Sequence, residues 1–144
     1  MTSDIREVEN EIEAATCFPV MRLLRPDLTS ASQFASLWHQ LSKSSGYRLF
    51  ALLVDGEPKA LAGFRIGENI VHGRHIYVDD LVTSEAERGS GYGAALLERL
   101  REECRTLGCG KLLLDTPMAN VRGHRFYYRN GMFATALRFT EEIR

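Results

Sequence analysis

An excess of charge of either sign is what this 144-residue chain lacks: 18 Lys and Arg face 19 Asp and Glu, a formal net charge of −1 with the histidines neutral. Domains built around a nucleic-acid backbone are clearly basic, so no nucleic-acid partner is expected. Cysteine is scarce and odd in number, with only Cys17, Cys104 and Cys109. A chain this long can bury a core without disulfide staples, and a reducing cytoplasmic setting is expected. No apolar run approaches the roughly 18 residues of a membrane span, and residues 1–7 contain no apolar signal core, so no membrane partner is expected either. The four histidines are scattered and no Cys-x-x-Cys pair occurs, which argues against a metal site. Repeats, low-complexity tracts and linkers are also missing, which leaves one domain spanning residues 1–144.

What is present is 44% hydrophobic and 26% charged, and strongly periodic. Residues 5–8 suit a short strand. Residues 10–24 turn helical, with Pro19 predicting a kink or restart and Pro26 an end. Thr29 or Ser30 can cap a second helix whose apolar face is Phe34, Leu37, Trp38 and Leu41, with Trp38 expected in the core. Residues 47–54 are strand-like and stop at Asp55-Gly56-Glu57-Pro58, after which 59–67 runs back as a hairpin. Residues 74–83 form a further strand. His72 and His75, three apart near its start, are expected to diverge. Residues 93–107 are a strong amphipathic helix lined by Leu96, Leu97, Leu100, Cys104 and Leu107 and stopped by Gly108. Residues 111–115 read as a strand buried on both faces, 120–130 as a helix closed by Gly131, and 132–140 as a last strand. The order β-α-α-β-β-β-α-β-α-β describes a mixed α/β layer.

The chemistry-bearing segment is Arg88-Gly89-Ser90-Gly91-Tyr92-Gly93-Ala94, between a strand and a helix N-terminus. Glycines let backbone N–H groups approach an anion, the helix start adds partial positive charge, and Arg88 adds a full one. Together they make a diphosphate cradle. No Gly-Lys-Ser/Thr follows, so this is not a Walker A loop. Gly89, Gly91 and Ala94 fit the dinucleotide spacing, and Asp115 ends the next strand. Yet the loop comes after more than half the chain, behind a hairpin, and too little chain follows Asp115 for a doubly wound sheet.

Arg88-x-x-Gly91-x-Gly93 resembles the acyl-CoA pyrophosphate motif of the GNAT N-acetyltransferases, and Tyr77-Val78-Asp79-Asp80-Leu81-Val82-Thr83 resembles their central strand. Asn120-x-x-Gly123-x-x-Phe126-Tyr127-x-x-x-Gly131 is similar to their other hallmark, with Gly123 where alanine is usual and Met132 where phenylalanine is frequent. The resemblance implies the GNAT-type acyl-CoA N-acyltransferase fold and direct acetyl transfer from acetyl-CoA to a primary amine in a ternary complex. It implies main-chain contacts to the pantetheine arm from Leu81, Val82 and Thr83, with an N–H near Leu81 polarising the thioester carbonyl. It further implies that Arg88, Gly89, Ser90, Gly91, Tyr92, Gly93 and Ala94 hold the pyrophosphate and that Asn120 contacts the cofactor arm.

The acceptor amine must lose a proton and the leaving thiolate must gain one. By the resemblance, Tyr127 is the general acid. Tyr128 lies about 100° round the helix and cannot face the same point. Asp79 is the candidate base, through water, and Asp80 a structural acid paired with an arginine. By strand alternation Tyr77, Asp79 and Leu81 share a face that excludes Asp80 unless a bulge intervenes. His124, one turn before Tyr127, reads as a surface histidine. Cys104 reads as core. Arg22, Arg25 and Asp27 lie where the family builds acceptor contacts. The expected acceptor is a small-molecule amine. A protein lysine or N-terminal amine, or an acyl-CoA-binding sensor without turnover, are the alternatives. Family members are often dimers, and the C-terminal strand offers an edge for pairing with a second copy.

Overall fold

A computed structural model describes residues 2–84, 87 and 89–144. They form two compact units, Met1–Leu113 and Leu114–Arg144. The pyrophosphate-motif residue Arg88 lies outside the described residues. Among the described residues, no helix is long and apolar enough to cross a membrane.

The first unit opens with β1 (Ser3–Glu7), α1 (Glu11–Thr16), α2 (Phe18–Leu24) and α3 (Ala31–Ser44). The helical run predicted over 10–24 is two helices. Cys17 ends α1 and caps α2, and Pro19 occupies the first turn of α2, where its missing N–H costs nothing. Asn10 caps α1 by accepting from the Glu13 N–H at 2.9 Å. Ser30 caps α3 by accepting from the Gln33 N–H at 3.0 Å, and the Gln33 side chain returns a bond from the Thr29 N–H at 2.6 Å. Such reciprocal bonds satisfy helix-start donors that would otherwise lack partners.

β2 (Arg48–Val54), β3 (Glu57–Asn69) and β4 (Gly73–Thr83) follow, then α4 (Tyr92–Leu107) and β5 (Lys111–Leu114). The hairpin predicted at Asp55-Gly56 is present, with β2 and β3 antiparallel. The five strands lie in sequence order in one sheet. β4 and β5 are neighbours in that sheet and are connected through α4. Leu49 to Leu52 are all buried, because helices cover both faces of the sheet. Leu49, Ala51 and Leu61 pack with Ala14, Met21, Phe34 and Trp38 from the first three helices. On the alternate positions, Phe50 stacks on Phe64 at 4.8 Å between ring centres. Leu96, Leu97 and Leu100 of α4 are fully buried. Arg48 crosses the sheet edge to pair with Glu7 at 2.7 Å and with buried Glu103 at 2.8 Å, and Arg99 holds the other oxygen of Glu103 at 3.0 Å.

The second unit contains α5 (Val121–Arg129). The strand expected over 132–140 is not formed. Phe133, Leu137 and Phe139 are exposed there, and a strand without a ladder partner has nothing to satisfy its backbone. The dimer edge expected of that strand is therefore not built. His72 and His75 do not diverge: their rings meet at 5.7 Å, because His72 belongs to the turn before β4 rather than to the strand.

Candidate active site

The site is organised by one irregularity in the β3–β4 ladder. Gly63 pairs with Asp80 and Phe64 with Val78, so Asp79 has no partner on β3. It is the extra residue of a β-bulge, which re-aims side chains at the kink. Simple alternation put Asp79 and Asp80 on opposite faces; the bulge overturns that, and both line a cavity of about 280 Å³ together with Tyr47 and Arg65.

Each carboxylate has its own guanidinium. Arg65, across the ladder on β3, donates from Nε and Nη2 to the two oxygens of Asp79 at 2.8 and 2.7 Å. Those hydrogen bonds are the chief reason the Arg65 guanidinium lies above its ordinary pKa. Arg25, just past α2, donates to Asp80 Oδ1 at 2.8 Å and to the main-chain oxygen of Asp79 at 2.8 Å. The expected arginine partner of Asp80 is thus Arg25. The second Asp80 oxygen accepts from the Tyr47 hydroxyl at 2.8 Å. Burial, then the Asp80 charge, push the Tyr47 phenol well above its ordinary range, so it stays a donor.

Tyr47 reaches Asp80 by lying against the β3 backbone at Gly63. A methyl group at Gly63 would overlap the Tyr47 hydroxyl and come within 2.5 Å of ring carbon Cζ. Sequence reasoning missed Tyr47, Gly63 and Arg65. The available signal was Gly63 itself, since a lone glycine inside an apolar strand marks a bulge or a close approach.

A second cavity, of about 520 Å³, lies between α2, α3 and the start of β2 and shares Leu41, Tyr47 and Asp80 with the first. Trp38 lines it. The indole is in the core as expected, but its N–H is buried without a hydrogen-bond partner among the described residues.

At the end of β4, Leu81, Val82 and Thr83 are half-buried and pair with Ala62, Leu61 and Ala60 on one side. The Ser84 hydroxyl is buried without a partner among the described residues. Gly89 and Gly91 adopt φ of 85° and 82°, a conformation that favours glycine, and Gly91 starts α4 with no side-chain cap. The first intrahelical bond runs from the Ala95 N–H to the Gly91 oxygen, so the Tyr92, Gly93 and Ala94 N–H groups have no acceptor within the helix.

In the second unit, Asn120 caps α5 by accepting from the Gly123 N–H at 3.1 Å, and its amide donates to Thr116 at 3.0 Å. A methyl group at Gly123 would strike the Asn120 amide, which explains glycine at that position. Tyr127 is half-buried, and burial raises its phenol above the ordinary value. Tyr128, one step round the helix, is exposed. The His124 ring lies 3.1 Å from the Pro117 oxygen.

Comparison with known proteins bears on this arrangement. Residues 16–132 match the family model described as Acetyltransferase (GNAT) family. The chain belongs to that family. It is 32% identical over 123 residues to the uncharacterized N-acetyltransferase YhdJ of Bacillus subtilis, covering 85% of this chain and 86% of that one. Among solved structures, the aminoglycoside N-acetyltransferase AAC(6')-Iy in complex with CoA superposes with a TM-score of 0.85 at 17% identity, covering 99% of this chain and 95% of that one. Glucosamine-6-phosphate N-acetyltransferase from Arabidopsis thaliana superposes with a TM-score of 0.79 at 20% identity, covering 100% of each chain. These likenesses establish the fold. The family membership makes the chain an acetyl-CoA-dependent N-acetyltransferase.

The donor set of this acetyltransferase fits a diphosphate-bearing cofactor. Two left-handed glycines turn the backbone ahead of α4, and three main-chain N–H groups at its start lack intrahelical acceptors. Methyl groups at Gly89 or Gly91 would meet open space, so backbone conformation rather than crowding selects glycine there. Among the described residues, no group of three or more metal-ligating side chains occurs.

Proposed function

We propose that this enzyme acetylates the primary amine of a small molecule by direct attack within a ternary complex. The observation that carries the reading is the bulge at Asp79, which turns two adjacent carboxylates toward one cavity beside the strand segment assigned to the cofactor. A concave cavity of about 520 Å³ adjoining it is the size of a small-ligand pocket and supports a small acceptor over a protein chain.

Acetyl-CoA supplies the thioester acetyl group as donor substrate. Gly89, Ser90, Gly91, Tyr92, Gly93 and Ala94 would hold its pyrophosphate through main-chain N–H groups at the positive end of α4, and Arg88 is assigned to the same anion. Leu81, Val82 and Thr83 would bind the pantetheine arm through the main chain, with an N–H near Leu81 polarising the carbonyl. Asn120, fixed as the α5 cap, would contact the cofactor arm. Asp79 would take the first ammonium proton through water, its carboxylate oriented by two bonds from Arg65. Asp80 would position Tyr47 and Arg25. Tyr127, kept protonated by burial, would give its proton to the sulfur as the C–S bond breaks. The proton leaving the nitrogen as the C–N bond forms would restore the phenol. The net products are an acetamide, CoA thiol and one proton.

The test is calorimetric titration with acetyl-CoA, followed by thiol release against a panel of primary amines. Binding together with amine-dependent thiol release is expected. Binding without release from any amine would replace catalysis with a sensor function, and absence of binding would remove the cofactor assignment.

A further inference from the structure

The two cavities share Leu41, Tyr47 and Asp80 and differ in chemistry. The smaller cavity is lined by Asp79 and Asp80, with Arg65 paired to the first and Arg25 to the second. The larger, between α2 and α3, is walled by Leu28, Phe34, Leu37 and Trp38. Asp27 lies at that wall, and no ion pair joins it to a basic side chain among the described residues. Among the described residues lining the two cavities, the acids are Asp27, Asp79 and Asp80 and the basic side chains are Arg25 and Arg65. Asp79 and Asp80 each already carry a guanidinium, so it is the proposed role of Asp79 as base, not a surplus of charge, that assigns the acceptor nitrogen to the Asp79–Asp80 end.

The apolar end offers little to a polyhydroxylated ligand. The Gln33 side-chain oxygen is already taken by the Thr29 N–H at 2.6 Å and hydroxyl at 3.0 Å. The Trp38 indole N–H is buried, without a partner among the described residues, and inaccessible to solvent. A hydroxyl placed among Leu28, Phe34, Leu37 and Trp38, out of reach of Asp27, would lose its water without finding a partner.

We propose that the acceptor is a primary amine carrying an apolar alkyl or arylalkyl body, with its ammonium at the Asp79–Asp80 end and its body between α2 and α3. The assignment rests on the acetyltransferase reading above and narrows its substrate class. Leu28, Leu37 and Trp38 are then specificity-determining residues. Each methylene removed from water is worth about fourfold in binding. Apparent affinity should therefore climb by that factor along a linear amine series until the cavity is full.

The experiment measures kcat/KM by thiol release for n-propylamine through n-hexylamine, 2-phenylethylamine and glucosamine, with acetyl-CoA affinity measured separately by calorimetry. A rise of roughly three- to fourfold per methylene, with glucosamine below hexylamine, is the expected result. In Leu37→Gln, KM for hexylamine should rise about tenfold and that for propylamine less than twofold, with acetyl-CoA affinity unchanged. Leu37 is 37% exposed, so the polar replacement is compatible with folding, and Leu28→Gln serves as the second variant. A flat or falling series, or glucosamine preferred, with acetyl-CoA bound normally, overturns this inference and leaves the enzyme reading standing. No acetyl-CoA binding and no turnover with any amine overturns both.

Discussion

Gly63→Ala tests whether Tyr47 is placed by a missing side chain. The new methyl would overlap the Tyr47 hydroxyl and approach Cζ to 2.5 Å, so the phenol must move off the β3 backbone. Gly63 is held in the packed sheet, and Tyr47, just before β2, is only 6% exposed. Overpacking of this kind costs about 1–3 kcal/mol. Moving Tyr47 also strips Asp80 Oδ2 of its donor, for about 1 kcal/mol more. The total is about 3 kcal/mol. Unfolding entropy near 2.1 cal/mol/K per residue gives about 0.3 kcal/mol/K for 144 residues. The melting temperature should therefore fall by roughly 10 °C, read by calorimetry or circular dichroism. Tyr47→Phe removes the same Asp80 bond and relieves the hydroxyl overlap, so the double variant should lose about 1 kcal/mol less than the sum of the single losses. A Gly63→Ala protein melting within about 2 °C of the parent, or single costs that add to within about 0.5 kcal/mol, would refute the placement.

Glu103 should make stability acid-sensitive. Burial alone would raise its carboxyl, but hydrogen bonds from Arg48 and Arg99 outweigh that and hold it below its ordinary 4.5. Its contribution is therefore complete above pH 4.5 and lost as pH falls through the lower folded-state value. Denaturant titrations from pH 7 to 3 should show that loss, and Glu103→Gln should flatten it while costing about 1–3 kcal/mol at neutral pH. Tyr127→Phe should lower kcat by about 10²-fold or more while acetyl-CoA affinity stays within twofold; an unchanged kcat would remove the general-acid role. Burial pushes the Cys17 and Cys104 thiols up to about 11 each, so partly exposed Cys109 should react first with an alkylating reagent at neutral pH, as read by peptide mass mapping.

The sequence by itself determined whatever depends on near neighbours along the chain. The α4 stripe of Leu96, Leu97, Leu100 and Cys104, its stop at Gly108 and a cap for α3 at Thr29 or Ser30 were all readable, because periodicity and capping act within one or two turns. The hairpin at Asp55-Gly56 and the glycine turn before α4 were legible for the same reason. Even the split of α1 from α2 was signalled by Pro19. Period alone misled where a partner was needed. Residues 132–140 read as a last strand and yet form none, since a ladder requires a second strand that no local pattern supplies. The tertiary structure alone decided the acid pair. The faces of Asp79 and Asp80 depend on a one-residue slip against β3, and a slip of one residue reverses every side chain beyond it. Their partners Arg25, Tyr47 and Arg65 arrive from separate elements across 55, 33 and 14 residues. Those partners meet the bulge only once the sheet is assembled, and Tyr47 fits there only because Gly63 leaves its face of β3 bare.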